Sequence, residues 1–249
     1  LWDCNKKDKN VVYNYKPSSE NGFTVLRTLD SDCSEIVIRD YRRIGLIKKA
    51  ALGIRFSDIV SLTQPYGIRK DIFNNPYKYK EFRMSDTEFS NSVKIYGVKG
   101  VKGGARRMSC YIELNAVKKN KEFVNKFKLF FTTSYSTDAI IPPAVIEGCP
   151  NEICSETFLN IGCFDTYKEM NNCRSYIESK FFRVLLYLRK GTMQVNKGVF
   201  SYIPLQDFTD KSDIDWSKSI PEIDKQLYRK YKLDDSEIAF IESMIKPME

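Results

Sequence analysis

The sequence predicts an α+β protein, and three features lead there. From Phe56 to about Phe164, short apolar runs are divided by Gly, Pro and Asn. From about Tyr167 to Lys190, apolar residues recur at helical steps, and two shorter helical patterns close the chain. With 249 residues and 42% hydrophobic content, the chain has enough apolar side chain for a sizeable core.

The first thirty residues are polar and interrupted. Val11-Val12-Tyr13 and Phe23-Thr24-Val25-Leu26 flank Asn21-Gly22, which predicts two short strands around a turn. A first amphipathic helix is expected over about 34 to 52, with Ile36, Tyr41, Ile44, Ile47 and Ala51 near one face. Four strands follow: Lys94–Val98, Ser109–Glu113, Lys126–Phe131 and Thr157–Ile161. Alternation from Lys126 to Leu129 suggests a half-buried strand with its lysines in solvent.

Met170, Cys173, Ile177, Phe181, Val184, Leu185 and Leu188 then predict one long helix from Tyr167 to Lys190. Asp165 or Thr166 is its N-cap, and Arg189 and Lys190 are cations at its other end. A further strand is expected at Val199–Ile203, stopped by Pro204. Short helices are expected at Ile220–Tyr231 and Ser236–Ile245.

Composition removes several chemistries. There is no histidine, so Ser-His-Asp, Cys-His and His–metal sites are excluded. The seven cysteines never form a C-x-x-C pair and are expected to be reduced, mostly buried thiols. No apolar run approaches the ~18 residues of a membrane span and no signal peptide opens the chain. A cytoplasmic location without membrane contact is therefore expected. Opening on Leu1-Trp2-Asp3, the chain reads as a piece of a longer polypeptide.

Charge is unevenly placed. The net charge is +8; residues 210–249 hold seven Lys/Arg against ten Asp/Glu, a balance of −3, which leaves +11 for residues 1–209. A basic body points to a polyanionic partner. Three basic loops are the candidate contacts with double-stranded DNA. Arg69 and Lys70 follow Pro65-Tyr66-Gly67. Lys99, Lys102, Arg106 and Arg107 surround Gly103-Gly104. Lys190, Gln194 and Lys197 lie with Arg189 beyond the long helix. Ser134 and Tyr135 join them as candidate polar contacts, with Asn120, Asn125 and Ser136 nearby.

Catalytic patterns are incomplete. Asn75-Pro76-Tyr77 lacks the second proline of an amino-methyltransferase loop, and Lys102-Gly103-Gly104-Ala105 lacks phosphate-loop spacing. Glu178-Ser179-Lys180, with Asp165 upstream, supplies a nuclease-like Glu-x-Lys. On a helix, however, residues two apart face different sides. No catalytic, cofactor or metal residue is assigned. The alternatives to DNA recognition are the endonuclease portion of a fused enzyme and a subunit-interaction domain docked through the long helix.

A family resemblance sharpens the reading. Ser61-Leu62-Thr63-Gln64-Pro65-Tyr66-Gly67-Ile68-Arg69 resembles the Ser-x-x-x-Pro-Phe-Gly-Leu-Arg segment of Eco57I-like type II restriction–modification proteins. Cys154–Leu159 is similar to their Ser-Thr-Glu-Thr-Tyr-Leu segment. The likeness continues through Ser179–Arg183, Phe200–Phe208, Leu227–Tyr231 and Phe240–Met248.

It implies the C-terminal target-recognition domain of an N6-adenine DNA methyltransferase, sometimes fused to an endonuclease. The fold it implies is a mixed domain similar to the recognition domains of type I specificity subunits. Residues 1–55 would close the methyltransferase core and carry a connecting helix, 56–209 would recognise DNA, and 210–249 would form a helical tail. The catalytic domain of the same polypeptide would then be a partner. It would bind S-adenosylmethionine, with Mg2+ needed if an endonuclease is fused, and this chain would hold no cofactor itself. The stretch from about 70 to 150 carries none of these motifs, as would suit a sequence-reading surface.

Overall fold

Short strands and helices do alternate along the chain as an α+β arrangement. A computed structural model describes residues 10–14, 23–27, 43–51, 53–137 and 139–246. Strands β1 (Asn10–Asn14) and β2 (Phe23–Arg27) pair antiparallel, and the turn expected at Asn21-Gly22 lies outside the described residues. Helix α1 spans Ile44–Ala50, within the stretch 34 to 52 where a helix was expected; residues 34–42 and 52 lie outside the described residues.

After the short helix α2 (Asp71–Asn74) comes a four-stranded sheet. Its strands are β3 (Met84–Ser85), β4 (Ser92–Val101), β5 (Gly104–Glu113) and, after an excursion, β8 (Glu152–Cys154), in the order β3-β5-β4-β8. A second sheet is built from β6 (Phe127–Thr132), β7 (Ile146–Gly148) and β9 (Phe158–Phe164), with β6 central. Helices α3 (Tyr167–Glu178), α4 (Lys180–Arg189), α5 (Ile220–Lys230) and α6 (Asp235–Met244) complete the element order.

The second sheet is a wall between two cores. Because neighbouring side chains of a strand point to opposite faces, Leu129 and Phe131 enter one core and Phe130 the other. Strand β6 is thus buried on both faces, which corrects the half-buried expectation. Lys128 is 0% exposed, and its ammonium spends all three protons on the carbonyls of Phe123 (2.9 Å), Val124 (2.7 Å) and Lys126 (2.8 Å). Burial pushes its pKa down to about 8.

The larger core does not divide where the sequence suggested domain boundaries. It joins Leu46 and Ile47 of α1, Phe56, the apolar face of α3 and α4, Ile223, Leu227 and Ile241 of the last two helices, and Ile245 just beyond them. Across the expected boundary at 55, the Leu205 amide donates to the Ile54 carbonyl (2.9 Å). Lys49 pairs with Glu237 (2.7 Å), and Arg43 lies over the Phe240 ring (3.9 Å). Within residues 210–246, Ile214, Trp216, Ile223, Leu227, Tyr228, Ile241 and Ile245 belong to this core. The smaller core lies under the four-stranded sheet, with Tyr66, Ile72, Ile95 and Ile112.

Two element predictions are corrected. The single long helix is two helices that meet at Ser179, which is fully buried with an extended ψ of 148°. Ser179 ends α3 and caps α4, its Oγ accepting from the Phe182 amide (3.1 Å). The apolar stripe of both helices is buried, so it offers no exposed face for a partner subunit. The strand expected at Val199–Ile203 is instead a short 3-10 turn over Lys197–Phe200, started by Asn196 Oδ1 accepting from the Gly198 amide (2.9 Å). Thr166 is the N-cap of α3, as one of the two expected residues.

Candidate nucleic-acid interface

A groove of about 780 Å³ opens where the two cores meet. One wall is the β4–β5 hairpin, contributing Val98, Ala105 and Arg107. The opposite wall is Thr132–Ser134 with Gln194–Asn196, and the floor is Glu156 and Thr157 beside Gln64 and Lys70. Five separate parts of the chain converge here.

Backbone pairing sets the opposite wall. Ser134 bridges Gln194, the Val195 amide donates to Thr133 O (2.8 Å), and the Tyr135 amide donates to Met193 O (3.2 Å). The segment after α4 is thereby stitched to the end of β6. Ser134 and Gln194 are both exposed on it.

The floor is fixed by Glu156. Its Oε2 accepts from Gln64 Nε2 (2.7 Å), its Oε1 accepts from the Lys70 amide (3.1 Å), and its own amide donates to Ile68 O (3.0 Å). Gln64 holds a left-handed φ of 57°, a conformation costly for a non-glycine residue. One residue pair deeper, Tyr66 Oη donates to Asn160 Oδ1 (2.9 Å) and the Asn160 amide to Ser61 Oγ (2.9 Å). The two segments at 61–69 and 154–159 are thus locked to each other.

The candidate contacts sort into three groups. Lys70, Arg107, Ser134 and Gln194 line the groove. Arg69 is exposed beside Lys70, and Lys99, Lys102 and Arg106 are exposed on the free end of the hairpin. Lys197 is half-buried. Tyr135 and Lys190 are corrections, being 9% and 1% exposed. Lys190 Nζ donates to Tyr135 O (3.2 Å) and Ser136 O (2.8 Å) and sits 3.9 Å from the Tyr135 ring centre. A duplex cannot reach that ammonium while the fold is intact.

Arg107 is partly committed, its Nη2 donating to Ala144 O (3.0 Å). Asn120 is structural as well: it has a left-handed φ of 50°, and its Nδ2 donates to Pro65 O (2.7 Å). Asn125 lines a separate small pocket with Asn91 and Asn115.

Gln64, Thr132, Thr133, Thr157 and Asn196 also line the groove and were not singled out as contacts from sequence. The hydroxyl run Thr132-Thr133-Ser134 directly after an apolar strand was the available signal. Lining the groove are two cations, Lys70 and Arg107, and one carboxylate, Glu156, each of whose oxygens already accepts from one donor. The rest is hydroxyl, amide and small apolar surface, able to donate and accept hydrogen bonds without strong charge.

The nuclease-like residues do not come together. Glu178 pairs with Arg174 (3.4 Å), Lys180 with Glu242, and Asp165 with Lys126. Among the described residues, no group of three or more Cys, Asp or Glu is placed to hold a metal ion. Described cysteines are free thiols; Cys110, Cys154 and Cys173 are buried, and Cys149 and Cys163 are exposed. Cys4 and Cys33 lie outside the described residues. No helix among the described residues is long and apolar enough to cross a membrane. Comparison with known proteins finds no matching family model, no matching curated protein and no matching solved structure.

Proposed function

We propose that this chain recognises the sequence of double-stranded DNA on behalf of a restriction–modification N6-adenine methyltransferase, as its target-recognition domain. The observation that carries the reading is the groove between the cores. It combines uncharged hydrogen-bonding side chains from Gln64, Thr132, Ser134, Gln194 and Asn196 with the exposed cations Lys70 and Arg107. Amide and hydroxyl side chains pair with base edges, whereas Lys and Arg fix register through phosphates. Both kinds of contact are available within this groove.

The family-like segments support a division of labour. Those at 61–69 and 154–159 are locked at the floor, and those at 179–183, 227–231 and 240–246 pack against one another in the larger core. There Arg183 Nη1 donates to Lys246 O (2.8 Å) and Tyr228 Oη to Glu242 Oε1 (2.9 Å). The hairpin and the Thr132–Ser134 edge lie in the stretch without such motifs. A shared scaffold would then present a surface free to differ. The catalytic domain that binds S-adenosylmethionine, and a cytoplasmic setting, belong to the same proposal.

The test is fluorescence anisotropy of the chain with a mixed-sequence DNA duplex. Exposed cations Arg69, Lys70, Lys99, Lys102 and Arg106 offer five phosphate contacts. Each contributes a slope of about −0.9 in log K against log salt, so affinity should fall about 10²–10³-fold between about 50 and 200 mM salt. Undetectable binding at the lower concentration, or binding indifferent to salt, would overturn the reading.

A further inference from the structure

The β4–β5 hairpin overhangs its own sheet. Pairing runs without interruption from Ser92↔Glu113 to Val101↔Gly104, closing on a two-residue turn, Lys102-Gly103. Gly103 has a φ of +83°, which glycine adopts without strain. Burial ends at Gly97 and Cys110, and every residue from Lys99 to Arg107 is exposed. At ~3.4 Å per residue, the pairs beyond Val98↔Arg107 project about 10 Å.

This end is thin, braced and electrostatically unsatisfied. Gly100, Gly103, Gly104 and Ala105 give it little side-chain bulk. Gly97 lies so close under Phe73 that an added Cβ would come within 2.1 Å of the ring, and the Gly100 amide donates to Asn74 Oδ1 (2.9 Å). The ribbon is thereby held in place before any ligand arrives. Lys99 stands directly opposite Arg106, and like charges facing each other across strands repel. Among the described residues, neither they nor Lys102 has a carboxylate partner.

We propose that this ribbon enters the major groove of the duplex, with Lys99, Lys102 and Arg106 on the flanking phosphates and the Gly103-Gly104 tip at the base edges. The inference rests on the DNA-recognition reading and adds which groove is entered, and by what. A major groove about 12 Å wide admits a two-stranded ribbon; a minor groove about 6 Å wide does not. Phosphates relieve the Lys99–Arg106 repulsion, which supplies a reason for the bare cation pair.

Two variants and a competition test it on the 249-residue chain with mixed-sequence duplex DNA. An added Cβ at Gly104 meets nothing within 4 Å, so Gly104→Tyr should keep the wild-type melting temperature yet weaken binding at least about tenfold by obstructing the groove. Lys99→Ala should leave stability unchanged or raised, while reducing the salt slope by about 0.9. Methyl green, which occupies the major groove, should displace the protein; distamycin, which occupies the minor groove, should not.

Displacement by distamycin alone, or unaltered binding by Gly104→Tyr, overturns the ribbon placement and leaves DNA recognition standing. Absence of duplex binding at low salt overturns both.

Discussion

Replacing Lys190 with methionine should destabilise the protein by about 3 kcal/mol and leave the salt slope of DNA binding unchanged. Methionine keeps the apolar stem but removes the ammonium that donates to Tyr135 O and Ser136 O and faces the Tyr135 ring. A buried carbonyl left without a donor costs about 1–3 kcal/mol, and a lost cation–ring contact adds about 1 kcal/mol. For a chain of this size the loss corresponds to a melting temperature about 6–12 °C lower. Lys99→Ala should show the opposite pair of effects: no loss of stability and a shallower salt slope. Thermal denaturation and anisotropy on both variants separate a buried strut from a phosphate contact. A stable Lys190→Met with the slope of one phosphate contact missing would contradict the burial of this side chain.

Asp224→Ala should cost about 3 kcal/mol or more, measured by urea unfolding. The carboxylate is 1% exposed and accepts from the amides of Lys180 (3.1 Å) and Phe181 (3.0 Å), two of the orphan donors at the start of α4. Alanine leaves both donors buried without a partner and deprives the buried Arg183 of a nearby opposite charge.

Burial pushes the Asp224 carboxyl up to about 6 from an ordinary 3.8, against the opposing pull of the two amides. A raised carboxyl pKa means that the folded state holds the proton more tightly than the unfolded state. Its contribution to stability is complete below about pH 4 and is lost as pH rises through about 6. The stability of the wild type relative to Asp224→Asn should therefore fall between pH 4 and 6. A difference that rises, or stays flat, in that window would show that the carboxyl is not held up by burial.

What sequence reasoning reached depended on how local the cause was. Strands β4, β5, β6 and β9 were legible because each is a short apolar run ended by turn residues. Helices α5 and α6 were legible from their own periodicity. The break at Ser179 was not, because α3 and α4 turn one continuous apolar stripe toward the same core. What ends the helix there includes Asp224, 44 positions from Lys180 in the chain.

Lys128 and Lys190 read as surface cations for the same reason. Their partners are backbone carbonyls, which no side-chain pattern announces. At Val199 and Phe200, consecutive buried apolar residues suited a strand, and Asn196 capping Gly198 decided for a 3-10 turn. The groove was half legible. Lys70, Arg107, Ser134 and Gln194 were picked out for charge or polarity. Gln64, Thr132 and Asn196 became visible only when Glu156 and the pairing at Ser134↔Gln194 brought their segments together.

The central claim, that the groove between the two cores reads base sequence, is tested most directly by selection from a pool of duplexes with a randomised centre. The wild-type chain should enrich one consensus over successive rounds. Gln194→Ala and Asn196→Ala should each relax the preference at particular positions, by about 1–3 kcal/mol per base pair, while the salt slope stays as it was. Retained binding with no enriched sequence, or a consensus untouched by both substitutions, would contradict it.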